Sequence, residues 1–258
     1  MINPRAVARY RERHAQAGKK SAAADAAVLA GILRTDRHLH RPLPRITVAA
    51  LAVKALARQH QEAIWALHQT ISRLRSLLLE YYPQALVAFP KLTHRAVMAV
   101  LAAAPTPDAA QRLTCRKIIS LLRGCGRRND PALVEQIHHD LHTEALRQSA
   151  PVEAALGAAA AGLINVVTAM LAGVTALEDR LAAAFATHPL AAVLRSAPGL
   201  GPVLAARVLG EVGDDPTRFA TANGLRAFAG TAPVTRASGR SHRFKARCSG
   251  LIWPLEPV

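Results

Sequence analysis

Between Glu153 and Glu178 the chain runs for 24 residues without a charge. A membrane span needs about 20 predominantly apolar residues, so the run has to be read either as a span or as a packed helix. Gly157, Gly162, Asn165, Thr168, Gly173 and Thr175 dilute its apolar character. Its period is more specific. Leu156, Ala160, Leu163, Val167, Met170, Val174, Leu177 and Leu181 recur in alternating steps of four and three. That is a heptad seam, the pattern of a helix laid along another helix. The run reads as a coiled-coil or bundle helix, with a membrane span as the alternative.

A second seam lies earlier. His60, Ile64, Leu67, Ile71, Leu74, Leu78 and Tyr81 step in the same way. They predict a long helix from about Val48 to Tyr82, stopped by Pro83, because proline cannot donate to the preceding turn. Two such helices suit an antiparallel hairpin stalk, a contact between two copies, or two ordinary core helices, and periodicity does not choose among these. Between them, Phe89 to His142 reads as several shorter helices. "PTPD" at 105–108 opens one, and "RGCGRRND" at 123–130 closes another. Ser21 is placed to cap a helix that starts "AAADAAVLAG", and "HRPLPR" at 40–45 is a linker. No internal repeat occurs and nothing alternates well enough to be a clear strand, so the fold class expected is mainly α.

Charge supplies the first functional signal. Lys and Arg number 33 against 17 Asp and Glu, a formal net charge of +16. The cations cluster: Met1–Arg45 holds ten, Arg112–Arg128 holds six with no acid, and Arg236–Arg247 holds five with no acid. Clusters of this kind attract a polyphosphate through counterion release, and nucleic acid is the partner expected. The three cysteines have no Cys-x-x-Cys spacing, which excludes a zinc ribbon or disulfide scaffold and suits a reducing cytosol. The N-terminus lacks the apolar core of a signal peptide. His138, His139, Asp140 and His142 offer either a metal site or, by the simpler reading, a solvated helix face. No phosphate-loop or nucleophile-elbow motif is present.

One short stretch combines turn and helix signals. "APGLGPVLAARVLGEVGD" at 197–214 reads as helix, Gly-x-Gly turn, helix. Gly199 and Gly201 would allow positive φ at the turn. The free amides at the second helix's start would then suit a phosphate oxygen. A plain corner buried in the core is the other reading. Downstream, Asp215-Pro216 is a helix-start signal, and Ser238-Gly239 sits among Arg236, Arg240, Arg243, Lys245 and Arg247. A serine hydroxyl is a poor nucleophile unless its proton is taken. Ser238 could attack a phosphodiester, hydrogen-bond a phosphate, or merely make a turn; from chemistry alone the turn is favoured.

The ordered set PGLG, GD, RF, AGTAP and SG within "SAPGLGPVLAARVLGEVGDDPTRFATANGLRAFAGTAPVTRASGR" resembles the C-terminal domain of the insertion-sequence 110/116/902 family of transposases. "LRSLLLEYYPQAL" and "LLRGCGRRND" resemble the same family, and the first 44 residues resemble the end of its N-terminal catalytic domain. The resemblance runs to about Ser241. It implies a site-specific DNA recombinase with a RuvC-like domain bearing four carboxylates, a coiled-coil middle and a C-terminal domain with a catalytic serine. It also implies a divalent metal such as Mg2+ and, in some members, a guide RNA.

Carried over residue by residue, Ser238 matches the family serine and Asp25 the last carboxylate and metal ligand. Gly199, Gly201, Arg236, Arg240, Arg243 and Lys245 are the candidate DNA-contacting residues. Two departures stand out. The family pattern Lys-Ser-Asp-x-x-Asp-Ala reads "KSAAADA" here, with Ala22 in place of the earlier aspartate, and alanine cannot ligate a metal. The closing "CSGLIWPLEPV" does not resemble the family's continuation.

The organisation expected is therefore a RuvC-like remnant over 1–45, a helical coiled-coil region over 46–188, a C-terminal domain with a helix-hairpin-helix and Ser-Gly motif over 189–247, and an atypical tail over 248–258. The function expected is that of a truncated transposase, catalytically incomplete, with a non-catalytic helix-hairpin-helix nucleic-acid-binding protein as the alternative. DNA, a guide RNA and a second copy through the coiled-coil helices are the expected partners, with no membrane, in the bacterial cytoplasm at the nucleoid. An amputated domain edge should expose apolar surface around residues 24–33.

Overall fold

The earlier heptad seam builds one of the two long helices of the computed structural model. Helix α3 spans Val48–Tyr81 and ends two residues before Pro83, which opens α4, Pro83–Ala88. The structure describes residues 4–14, 21–39, 43–126, 130–232, 234–238 and 241–245. The other described helices are α1 Pro4–His14, α2 Ala22–Asp36, α5 Arg95–Ala103, α6 Pro107–Gln111, α7 Cys115–Gly124, α8 Pro131–His142, α9 Ala150–Ala186, α10 Ala191–Arg195, α11 Pro202–Val212 and α12 Ala222–Phe228. A two-stranded antiparallel pair follows, β1 Val234–Ser238 and β2 Ser241–Lys245. The mainly α class is therefore observed.

The chain forms two compact units, residues 48–212 and residues 1–47 with 213–258. The first is built on α3 and α9, the two seam helices, packed along each other. One apolar core joins Leu67–Leu78 of α3 to Ala160–Val167 of α9; the other joins Val53 and Ala57 to Leu181 and Phe185. Early α3 residues thus meet late α9 residues, and the pair is antiparallel. Of the arrangements open to the two seams, the molecule uses the intramolecular hairpin.

The α9 seam is rotated from the expected one. Ala160, Val167 and Leu181 are buried, together with Glu153, Gly157, Ile164 and Phe185, whereas Leu156, Leu163, Met170 and Val174 are only partly buried. The shift has a packing cause: α9 also meets α5 and α11, so its buried stripe is wider than one seam. By length and composition alone α9 could cross a membrane.

Helices α4 to α8 fill the connection between the two long helices, and local capping explains where they start. Thr106, Thr114 and Asp130 each accept a bond from the amide three residues on. Arg147, just before α9, bonds Glu153 Oε1 at 2.6 Å and Asp108 Oδ1 at 2.7 Å. This ties the start of α9 to α6.

In the other unit Ser21 caps α2 as its sequence suggests, accepting from Ala24 N at 3.1 Å. Among the described residues no strand precedes Val48, and no RuvC-like sheet edge is seen there. Leu29 and Leu33 are exposed while Ile32 is buried. The strands β1 and β2 correct the expectation of none. Each is five residues long with weak alternation, and it is their cross-strand pairing rather than an apolar period that makes them strands. The helix start expected at Asp215-Pro216 is also absent. Asp215 Oδ1 accepts from Thr217 N at 2.9 Å and Thr217 Oγ1 at 2.6 Å, an Asx turn that competes with helix. The helix begins at Ala222 instead, capped by Thr221.

Candidate nucleic-acid interface and serine hairpin

The Gly-x-Gly turn lies between α10 and α11. Gly199 has φ +82°, a left-handed conformation that a Cβ disfavours. Gly201 does not share it, which corrects the expectation for that residue. It precedes Pro202, and proline confines the residue before it to extended backbone. Both glycines are exposed, and a Cβ added to either would meet nothing within 4 Å. The buried-corner reading is thereby excluded.

The turn is fixed from below. Leu200 N bonds Ala197 O at 3.2 Å, and Ala205 N bonds Gly201 O at 2.9 Å. Ala205, Ala206 and Leu209 are fully buried against α3 and α9. Gly210 brings α11 close to α3, since a Cβ there would lie 3.0 Å from Lys54 Cα. The first helical amides of α11 therefore face outward from a rigidly held helix start.

Beneath the turn, α11 places Arg207 against His60 of α3, with Arg207 donating to His60 Nδ1 at 3.0 Å. Burial, and then the arginine's charge, hold the His60 pKa below its ordinary value; Glu178 on α9 opposes this weakly. Neither residue stands out in the sequence as a pair, because 147 positions separate them.

Asp25 lies in the first turns of α2, where it is ion-paired with Arg11 of α1. Fourteen positions separate the two, and no spacing rule signals the pairing. Among the described residues no group of three or more His, Cys, Asp or Glu could hold a metal ion. With Ala22 beside it and an arginine on its carboxylate, Asp25 does not fit a divalent-ion site within the described chain. The histidine group on α8 resolves similarly: the His138 and His142 rings stack at 3.9 Å, and His142 nitrogens lie 2.7 Å from His138 O and 3.3 Å from Gln111 O.

Asp214 and Asp215 serve the backbone. Asp214 Oδ1 accepts from Thr47 N at 3.0 Å, and Asp215 Oδ2 accepts from Arg45 N at 2.8 Å. The Thr217 hydroxyl, with the Arg45 and Thr217 amides, holds the Asp215 carboxyl below its usual range. The "GDDP" motif is thus a clamp on the linker that precedes α3, a role that sequence reasoning missed.

Ser238 is the last residue of β1 and the register partner of Ser241, the first of β2. Arg236 is the register partner of Arg243, and Lys245 that of Val234. Arg240 and the tail over 248–258 lie outside the described residues.

Comparison with known proteins adds the lineage. Residues 1–83 match a family described as "Transposase", and residues 191–250 match "Transposase IS116/IS110/IS902 family". The chain is 44% identical over 246 residues to the "Mini-circle putative transposase for IS117" of Streptomyces coelicolor, covering 93% of this chain and 59% of that protein. It is 33% identical over 223 residues to the "Insertion element IS110 uncharacterized 43.6 kDa protein" of the same organism, 86% of this chain and 54% of that one. It is 26% identical over 227 residues to the "Insertion element IS900 uncharacterized 42 kDa protein" of Mycobacterium paratuberculosis, 86% and 55%. The chain thus spans between about half and three-fifths of the length of these relatives. No solved structure matches it significantly. With both ends matching transposase families and nearly the whole length aligned to an insertion-sequence relative, the chain belongs to the IS110/IS116/IS902 family of transposases.

Proposed function

We propose that the chain acts on DNA as part of a transposition system, gripping the phosphodiester backbone at the Gly199–Gly201 turn and at the β1–β2 hairpin. The observation that carries this reading is the cross-strand pair Arg236–Arg243 beside the Ser238–Ser241 end of the hairpin, inside the segment that matches the transposase family. The run over 236–247 carries five cations and no acid, the composition that a phosphate backbone attracts. Arg240 and Lys245 extend the same basic run, and a guide RNA would meet the same cations.

Ser238 is the nucleophile in this reading. Its Oγ would attack a phosphodiester phosphorus and displace one deoxyribose oxygen. A phosphoserine–DNA bond forms, the P–O bond to the leaving strand breaks, and the serine proton ends on the leaving alcohol. The cations stabilise the added negative charge in the transition state. Mg2+ is expected for the family, but Ala22 and the Arg11–Asp25 pair leave this chain short of a carboxylate site. Catalysis by this polypeptide alone is therefore not expected. Association with a second copy would use the outer face of α9, where Val152 and Val166 are exposed. The bacterial cytoplasm, at the nucleoid, follows as its setting.

The test is to incubate the purified chain with element-end DNA, RNA from the same element and magnesium, then resolve products on a denaturing gel. DNA binding without a covalent adduct is expected. A Ser238-dependent adduct would overturn the incompleteness, and absence of DNA binding would overturn the function.

A further inference from the structure

Of the three basic clusters, the transposition reading gives a role to the one over 236–247 and leaves those over 1–45 and 112–128 without one. Residues 112–128 carry six cations and no acid. The structure places most of its described part on α7, whose inner side buries Ile118 and Leu122. Arg112, Arg116, Lys117, Ser120 and Arg123 are exposed. On a helix of 3.6 residues per turn, positions 116, 120 and 123 fall on one face, with 117 beside it, while Arg112 closes α6 just before this helix.

These cations differ from others in the molecule. Arg11, Arg58 and Arg147 each hold a carboxylate. Among the described residues the side chains of Arg116, Lys117 and Arg123 have no ion pair or hydrogen bond. Asp108 is the one acid between residues 81 and 129, and Arg147 occupies it. An unneutralised basic face of this kind is a polyanion's counterpart.

The surface also indicates which polyanion. Unpaired bases are held by stacking on exposed aromatic rings. From residue 83 to 126 the one aromatic of the Phe, Tyr and Trp class is Phe89, which is buried. The face supplies cations without a stacking platform, which fits a closed duplex. Its place in the unit separates it from the Gly-x-Gly turn. The core beneath α11 involves Val53 and Ala57 of α3, whereas α7 belongs to the core around Leu67–Tyr81.

We propose that the outer face of α7, formed by Arg116, Lys117 and Arg123, is a second docking surface for the backbone of duplex DNA, distinct from the glycine turn. The proposal rests on the reading that the chain handles DNA. It assigns to the connection between the two long helices a contact that no catalytic motif requires.

The test uses the full chain and a labelled DNA duplex of arbitrary sequence, with anisotropy followed across a salt series. The variant Arg116→Gln/Lys117→Gln/Arg123→Gln should keep its melting temperature. It should lower the slope of log K against log salt by about 2 to 3 and weaken binding at least about tenfold at 0.1 M salt. DNA should also shield Lys117 of the unaltered chain from acetylation, a readout independent of any variant. Three exposed cations outside the basic clusters serve as the control, Arg73→Gln/Arg180→Gln/Arg226→Gln. An unchanged slope, an equal loss in the control, or a loss confined to an RNA duplex would overturn the proposal. If Arg236→Gln/Arg243→Gln/Lys245→Gln abolishes binding while the α7 variant binds normally, the α7 surface falls and the DNA reading stands. If the unaltered chain binds no duplex, both fall.

Discussion

The two glycines of the turn look alike in sequence and differ in the molecule. Gly199 holds φ +82°, so Gly199→Ala should cost roughly 1 to 2 kcal/mol of stability besides any effect on binding. Gly201 has ordinary backbone and open space where a Cβ would go. Gly201→Ala should leave the melting temperature unchanged and so reports on close approach of a ligand alone. Unaltered DNA affinity in that variant would mean the turn does not need a bare backbone at 201. Asp25 carries a similar lesson. Its partner Arg11 is half-buried with it, and Arg11→Ala should destabilise the α1–α2 pair by up to about 1 kcal/mol, seen as faster amide exchange in both helices. No exchange change would remove the ion pair as the reason α1 lies against α2.

At the scale of elements, α11 is fastened to α3 and α9 by small residues and one buried polar pair. His60 accepts from Arg207 and must stay neutral to do so. Its folded pKa is below the ordinary value, from burial first and Arg207 second. Above about pH 6.5 the histidine is neutral in both states and costs nothing. As pH falls below that value the unfolded chain takes up a proton that the folded one resists, and stability declines. Thermal melts between pH 7.5 and pH 5.5 should show this decline, and His60→Gln, which keeps an acceptor without a titration, should flatten part of it. The same decline in His60→Gln would assign it elsewhere; among the described residues His138, held low by burial and by His142, is the other histidine shifted this way.

At the scale of the whole 48–212 unit, Arg147 joins three segments through Glu153 and Asp108. Glu153 is 4% exposed, so Arg147→Met would strand a buried carboxylate. A loss of about 2 kcal/mol or more is expected in chemical denaturation, and a loss below 0.5 kcal/mol would count against the joint. Hydrogen bonding to Arg147, ahead of its charge, holds the Glu153 carboxyl below its ordinary value. The joint's stabilisation is therefore complete above the unfolded carboxylate pKa and disappears as pH falls through the folded one. The melting temperature of the unaltered chain should drop below about pH 4.5, and Arg147→Met should reduce that drop.

Periodic and local information was legible in the chain itself. The heptad steps located α3 and α9, Pro83 ended α3 where expected, Ser21 capped α2, and the ordered PGLG to SG motifs named the lineage. Each depends on residues within a few turns of one another or on order along the chain, which a sequence displays directly. Other features needed three dimensions. The seams' pairing with each other, the Arg11–Asp25 and His60–Arg207 contacts, the Asp214–Asp215 clamp and the β1–β2 pairing join residues through space. Spacing carries no trace of such partners, because a side chain's charge or hydrogen-bonding capacity says what it needs and not which distant residue supplies it. For Gly201 the proline that overruled positive φ was adjacent and readable. For Asp25 only the folded chain could show that an arginine already holds the carboxylate.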